Sequence, residues 1–271
     1  MYIVVPIKQV PETSNVKMDR ETGTMIRSGS DAIVNPLDLY ALETALRIKE
    51  KTGARITVLT MGPANAAKVL KEAIAMGCDD AVHLSDRAFG GSDTWATSYT
   101  LAEAIKKLGN VDLVIAGERA TDGDTGQVGP GLASWLSMSL VTYTSAIEEL
   151  TDTYIVAERL VEEGYQKVKA MLPSVLTVVK EIASPRLPTL RGKKRAMAMD
   201  IPLWGALDLN LDSTNLGLLG SPTRVVKIES PKLTRSCKVV TASEEEAIPG
   251  AVDELLQFLS SKDLLTMRKV K

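Results

Sequence analysis

An apolar run at residues 111–116 passes directly into Gly117, and from there to Gly131 the chain is rich in glycine, threonine and acidic residues. The run predicts a buried parallel strand, and residues 132–136 predict a helix. A strand that ends in a glycine-rich, hydroxyl-bearing turn and opens a helix presents free backbone N–H groups and the positive end of a helix dipole. That arrangement suits a phosphate or pyrophosphate. Glycines let the backbone approach an anion closely, and Thr121 and Thr125 add hydroxyl donors. An ordinary strand-to-helix loop has the same outline, so the rest of the chain must decide between the two.

Strand and helix patterns alternate through the first half. Residues 2–8 read as a first strand with Pro6 near its end, where the missing N–H marks a strand that is finishing or lies beside a ligand. Residues 9–34 are polar and turn-rich, with 21–23 a hairpin tip. Asn35 then reads as an N-cap and Pro36 as the first residue of a helix. Leu39, Leu42, Ala45, Leu46 and Ile48 form its apolar stripe, and Gly53 stops it. A strand at 55–60, a helix at 64–76, a short strand at 81–84, a loop at 85–94 and a helix at 95–108 follow. Such alternation with short links predicts a doubly wound, Rossmann-like α/β fold with a mainly parallel sheet.

Beyond residue 140 the pattern changes to strands at 141–147, 154–160, 165–171 and 175–179, read together as an antiparallel extension of the sheet. Residues 184–271 carry little core material and cannot bury their apolar residues alone. The domain is therefore drawn over residues 1–183, with 184–271 a docking loop and extended C-terminal arm that lies on another subunit. A last helix at 243–260 has Ser243 and Glu246 at capping-box spacing.

Composition removes several function classes. A net charge of −2 over 271 residues gives no reason to expect a nucleic-acid or anionic-membrane partner. No apolar stretch approaches membrane-spanning length, and the first residues are strand-like rather than a signal peptide. Two distant cysteines, Cys78 and Cys237, make no disulfide framework, and a single histidine, His83, cannot supply a metal cluster. A reduced cytoplasmic setting fits best, and His83 reads as structural. No GxGxxG turn follows the first strand and no GK[ST] occurs, which argues against an ordinary dinucleotide half and a P-loop. Glu118, Asp122 and Asp124 could act as acids or bases, yet beside a phosphate they more often contact ribose hydroxyls or cap the turn. The chemistry is assigned to a bound cofactor.

In an open α/β sheet, ligands bind beyond the carboxyl ends of the strands. Pro6, Asn35, Asp38, Met61, the 85–94 loop and the 117–131 turn all fall at or near such ends, so they converge on one rim. Phe89, one of only two phenylalanines, sits there beside Gly90 and Gly91. It either packs under the loop or walls a flat ring, with Arg87 placed to stabilise an anionic reduced flavin. The basic run at 191–195 is a solvated loop or, with Leu187 and Leu190, a partner-docking tip with an apolar anchor and charged rim.

With these motifs in this order, the chain resembles the beta (small) subunit of electron-transfer flavoproteins over essentially its whole length. The resemblance rests on residues 4–11, Asn35-Pro36-Leu37-Asp38, Thr60-Met61-Gly62-Pro63, residues 120–130, Arg159 with Glu162-Glu163, and residues 173–177. It implies a heterodimer with a larger alpha subunit that holds a flavin. An adenine nucleotide would be held here by Pro6, Asn35, Asp38, Met61, Asp122, Gly123, Asp124, Thr125, Gly126, Gln127, Val128, Gly129, Pro130 and Gly131. In ordinary members that nucleotide is a structural AMP.

Residues 85–98 look closer to the electron-bifurcating group. There Arg87, Phe89, Gly90, Asp93, Thr94 and Thr97 would meet a full FAD that accepts hydride from NADH. The electrons divide between ferredoxin or flavodoxin and, through the alpha-subunit FAD, an acyl-CoA or related dehydrogenase or reductase. By this resemblance the chain is a redox subunit rather than a self-contained enzyme, and Leu187 or Leu190 docks the dehydrogenase. Two alternatives stay open: a non-bifurcating beta subunit holding AMP, and a nucleotide-sensing α/β binding protein with no redox role.

Overall fold

A computed structural model describes residues 1–12, 32–226, 238–262 and 264. The hairpin tip expected at 21–23 and Cys237 lie outside the described residues. The chain divides into two compact units, Met1–Ile228 and Glu229–Lys271.

The first unit is a doubly wound α/β sandwich. Its strands are β1 (Tyr2–Pro6), β2 (Gln9–Pro11), β3 (Ala32–Val34), β4 (Arg55–Met61), β5 (Asp80–Leu84), β6 (Leu113–Gly117), β7 (Ser139–Leu150), β8 (Tyr154–Val161), β9 (Gly164–Met171), β10 (Ser174–Val178) and β11 (Leu203–Trp204). Its helices are α1 (Pro36–Thr52), α2 (Ala67–Met76), α3 (Thr94–Leu108), α4 (Val128–Leu136) and α5 (Leu190–Ala198). The main sheet has the order β11-β5-β4-β1-β6-β10-β7-β8-β9, and β2 pairs with β3 in a separate antiparallel ribbon. Within the main sheet, neighbouring strands from β11 to β7 run parallel, while β7–β8 and β8–β9 pair antiparallel.

Both faces of the sheet are covered, as an apolar parallel sheet requires. Along β1 the side chains alternate. Ile3 and Val5 face a core built with Leu42, Leu46, Leu70 and Ile74 of α1 and α2. Val4 faces the opposite core, with Leu101, Ile105 and Leu132 of α3 and α4. The order also places a switch point. From β1 the chain winds outward to β4 and β5, then returns to β6 on the other side of β1. Loops leaving β1 and β6 diverge to opposite faces, which opens a crevice at their carboxyl ends.

Several sequence expectations are corrected here. Strand β10 is not part of the antiparallel extension: it lies between β6 and β7, parallel to both, with every residue buried. Residues 184–226 belong to the first unit rather than to an arm beginning at 184. Within them α5 packs on α2, β11 adds an edge strand to β5, and Leu209 and Leu216 are buried in the α3/α4 core. Helix α4 begins at Val128 rather than 132.

The second unit contains α6 (Ile248–Ser261), preceded by a short 3-10 turn over Glu245–Ala247. The Ser243 capping box does not form, because the helix starts at Ile248, with Pro249 in its first turn. Ile248, Val252, Leu255 and Phe258 of α6 are exposed.

Candidate functional site

The rim of the switch point is assembled by backbone ties between loops distant in sequence. At the end of β1, Ile7 donates to the Leu59 carbonyl at 2.8 Å, and Thr60 Oγ1 donates to the Ile7 carbonyl at 2.9 Å. Lys8 then donates its backbone N–H to Asp38 Oδ2 at 2.7 Å, while its Nζ reaches across the crevice to Asp122 Oδ1 at 2.7 Å. The β1 loop is thus pinned to α1 on one side and to the β6 turn on the other.

Asn35 takes the N-cap position of α1 as expected, with its carbonyl accepting from Asp38 N at 2.9 Å, but its side chain makes no cap hydrogen bond. It is fully buried and points instead into the 117–131 turn, where Nδ2 donates to the Arg119 carbonyl at 2.9 Å and Oδ1 accepts from Thr121 N at 3.2 Å. A buried amide that satisfies one carbonyl and one N–H of the same loop fixes its path. Pro36 takes the first helical position as expected, and Gly53 ends the helix in the left-handed region at φ 72°.

Asp38 is buried beneath this junction rather than presented to a ligand. Desolvation pushes its carboxyl up to about 7, against the opposing hydrogen bonds from the Lys8 backbone, Asn35 and Gly117. Pro6 is the last residue of β1, opposite Leu59, and Met61 is the half-buried last residue of β4.

The 117–131 turn has two parts. Residues 121–125 stand open to solvent. Asp124 adopts φ 54° and Gly126 φ 63°, left-handed conformations that let the turn fold back tightly. Arg119 Nε pairs with Asp124 Oδ1 at 3.0 Å. The second part is the first turn of α4. Gln127 at its N-cap makes no side-chain cap, Pro130 has no N–H, and Gly131 donates to the Gln127 carbonyl at 2.9 Å. The N–H groups of Val128 and Gly129 therefore head an uncapped helix end, with the positive end of its dipole toward the crevice. This donor set, with Lys8 Nζ nearby and the hydroxyls of Thr121 and Thr125, suits the phosphates of a nucleotide.

Not every glycine there serves approach to an anion. A β-carbon on Gly129 would overlap Thr177 Cγ2, and one on Gly131 would fall 2.6 Å from Ser98 Oγ. These two glycines allow α4 to lie against β10 and α3.

The 85–98 segment joins the same rim. Thr94 Oγ1 and Gln127 Oε1 are 2.7 Å apart, which ties the start of α3 to the start of α4, and Thr97 sits half-buried in the first turn of α3. Arg87 is exposed; its carbonyl accepts from Gly90 N at 3.1 Å, and its guanidinium has no hydrogen bond or ion pair among the described residues. Phe89 is corrected: it packs under the loop at 6% exposure, against Leu84 and Leu216 in the core, and forms no open wall. Asp93 is committed to the protein. Its Oδ1 caps α3 at Trp95 N and Ala96 N, and its Oδ2 accepts from Thr223 N and Oγ1. Gly90 accepts at its carbonyl from Leu218 N at 3.1 Å.

Two features escaped sequence reasoning. Tyr143 carries φ 53° within a strand, is exposed, and has its hydroxyl beside Gly126. An aromatic in the left-handed region at a site edge is a strained position, and its run of strand formers gave no signal. Trp95, Trp135 and Tyr99 also gather beside the rim, with ring centroids 4.8 and 5.2 Å apart. Only the scarcity of aromatics could have pointed to them.

His83 is buried in β5, donates Nε2–H to the Gly62 carbonyl at 3.1 Å, and has its pKa lowered from the usual value by desolvation. Among the described residues, no group of three or more His, Cys, Asp or Glu could hold a metal ion, and no helix is long and apolar enough to cross a membrane. Leu187 and Leu190 stand apart from the rim and are almost fully exposed. Arg159 Nη2 donates to Thr142 Oγ1 at 2.8 Å.

Fold and rim together define a doubly wound α/β protein with an open helix N-terminus at its switch point. Residues 22–206 match the electron transfer flavoprotein domain. The chain is 46% identical over 253 residues to the caffeyl-CoA reductase-Etf complex subunit CarD of Acetobacterium woodii, covering 93% of this chain and 96% of that one. It is 44% identical to the electron transfer flavoprotein subunit beta of Thermoanaerobacterium thermosaccharolyticum, covering 94% and 98%. It is 40% identical to the acryloyl-CoA reductase electron transfer subunit gamma of Anaerotignum propionicum, covering 95% and 98%. This chain belongs to the electron transfer flavoprotein family, among its beta subunits.

Proposed function

We propose that this chain is the beta subunit of an electron-bifurcating electron-transfer flavoprotein and holds its own FAD at the switch-point rim. The adenosine diphosphate end would lie along Asp122–Gly131, with the Val128 and Gly129 N–H groups and Lys8 Nζ on the phosphates. When bound, the flavin supplies hydride acceptance from NADH and delivery of electrons to a ferredoxin or flavodoxin and, through an alpha-subunit FAD, to an acyl-CoA-type reductase. The protein's own part is to bind, orient and tune. Arg87 would place a cation at the far end of the ligand.

The observation that carries this reading is the Thr94–Gln127 hydrogen bond. It makes the Arg87-bearing loop and the phosphate turn one continuous rim, so a ligand longer than a mononucleotide has protein along its length. A second reading, a beta subunit holding only AMP, is favoured by the burial of Phe89, which removes the expected ring wall.

Two relatives are named as parts of caffeyl-CoA and acryloyl-CoA reductase systems, which supports an alpha-subunit partner and a reductase for this chain. The exposed face of α6 would lie on the alpha subunit, Leu187 and Leu190 would dock the reductase, and the assembly would work in the cytoplasm. Cofactors extracted from the purified heterodimer test the reading. Two FAD per heterodimer support it; one FAD and one AMP establish the second reading, and no adenine nucleotide at all removes both.

A further inference from the structure

The segment that carries Leu187 and Leu190 is not a free loop. On its amino side, Arg186 is bound to two carboxylates of α1. Its Nε donates to Glu43 Oε2 at 2.8 Å and its Nη2 to Glu43 Oε1 at 3.1 Å, while its backbone N–H adds a bond to Glu43 Oε2 at 3.1 Å. Nη1 and Nη2 reach Glu50 Oε1 and Oε2 at 2.5 and 3.2 Å. Glu43 is only 3% exposed, and Arg47 Nε also donates to it at 3.0 Å. Although burial alone would raise its pKa, the bonds from Arg186 and Arg47 hold the Glu43 carboxyl below its usual value. A planar guanidinium held by two carboxylates has little rotational freedom.

On the carboxyl side the segment is fixed to the end of α2. Thr189 donates its N–H to the Ala75 carbonyl at 3.3 Å and caps α5 by accepting from Gly192 N. Gly192 lies so close to the Ala75 carbonyl that no side chain fits. Arg195 Nη2 donates to the carbonyl of Ile74, at the negative end of α2, and to that of Cys78 just beyond it. Leu187 and Pro188 stand between Arg186 and Thr189, and Leu190 stands between Thr189 and Gly192, with the two leucines 86% and 87% exposed. Proline fixes one further backbone angle. Two large apolar side chains are thus held outward on a short, doubly anchored bracket.

We propose that Arg186 is a positioning residue for partner docking: with Glu43 and Glu50 it preorganises the Leu187/Leu190 pair that the reductase takes up. The inference rests on the docking role proposed above for those leucines. Its physical basis is that a surface ordered before encounter loses less conformational freedom on binding. Lysine cannot replace Arg186 in this role, because an ammonium cannot bridge two carboxylates in a fork.

The test uses the purified heterodimer with the host's acyl-CoA dehydrogenase-class reductase titrated as acceptor. Arg186→Gln should raise KM for the reductase roughly five- to tenfold with kcat unchanged, and NADH oxidation by an artificial acceptor should not move. Arg186→Lys should recover only part of the loss. Amides of residues 187–192 should exchange faster in Arg186→Gln. Glu50→Gln, an exposed change that leaves the Glu43 pair intact, should raise KM by about twofold and serves if Arg186→Gln does not fold. An unmoved KM in the variants that fold, or equal loss in both assays, overturns the proposal. Leu187→Ala and Leu190→Ala run in parallel. If either raises KM while Arg186→Gln does not, the bracket alone is wrong; if neither does, the docking reading falls with it.

Discussion

A β-carbon added to Gly117 would lie 2.5 Å from Asp38 Oδ1. The last residue of β6 and the first turn of α1 are therefore in direct contact, and the floor of the rim depends on a residue with no side chain. The same β-carbon would meet the Leu37 carbonyl carbon at 2.8 Å, so the clash is with backbone as well as with a carboxylate. Gly117→Ala must push α1 away from β6, and overpacking at a buried junction costs about 1–3 kcal/mol. Chemical denaturation should show that loss.

Asp38 gives the protein a pH dependence of defined sign. Its carboxyl titrates near 7 when folded, raised from 3.8 by burial. Between those values the folded state keeps a proton that the unfolded state releases, so stability falls as pH rises through this window. The full difference corresponds to roughly 4 kcal/mol. Glu43, with its carboxyl held low, has the opposite sign: its contribution is present above the usual carboxylate range and is lost as pH drops below it. Asp38→Asn cannot titrate. Denaturation of the two proteins at pH 5 and 7.5 should show wild type losing more stability on going to 7.5. Identical slopes would mean that Asp38 ionises normally.

Gly129 and Thr177 should behave as a compensating pair. Gly129→Ala places a methyl group into Thr177 Cγ2, whereas Thr177 Cβ would be at 3.7 Å, an ordinary contact. Thr177→Ser removes the obstructing methyl and keeps the hydroxyl that accepts from Tyr143 N at 3.0 Å. Gly129→Ala alone should lose about 1–3 kcal/mol, and the double variant should regain most of it. Additive losses would show that the helix had shifted for another reason.

What could be read from sequence follows the range of the interactions involved. Pro36 and Gly53 set the ends of α1 through local backbone preferences, and both were legible. The alternation that gives the doubly wound fold was legible for the same reason. The N-cap position of Asn35 is legible too, but the destination of its side chain is not: its partners lie 84 and 86 residues away, and nothing local distinguishes a capping amide from one that ties two loops. Strand β10 shows an apolar run, but its insertion beside β6 is a matter of long-range pairing that periodicity does not encode. Phe89 stands out by its neighbours, Gly90 and Gly91, yet it is buried in a core cluster that includes Leu209 and Leu216, far along the chain. The basic run at 191–195 looked like a solvated loop. Its helical state depends on the Thr189 cap and on the fit of Gly192 against α2.

Lys8 and Asp122 permit the sharpest test of the rim as an anion site. Their side chains are 48% and 27% exposed, so the pair itself adds at most about 1 kcal/mol to folding. Its electrostatic role is larger. Asp122 is a negative charge on a turn proposed to hold phosphates, and Lys8 both offsets that charge and offers its own to the ligand. Lys8→Met leaves the carboxylate uncompensated, so affinity for ADP, measured by calorimetry on cofactor-stripped protein, should fall roughly tenfold. Asp122→Asn should bind as well as wild type or better. In the double variant, affinity should recover part of the loss, because the repulsive charge has gone together with its neutraliser. If Lys8→Met binds ADP normally while melting at the same temperature as wild type, the phosphates do not lie between β1 and α4.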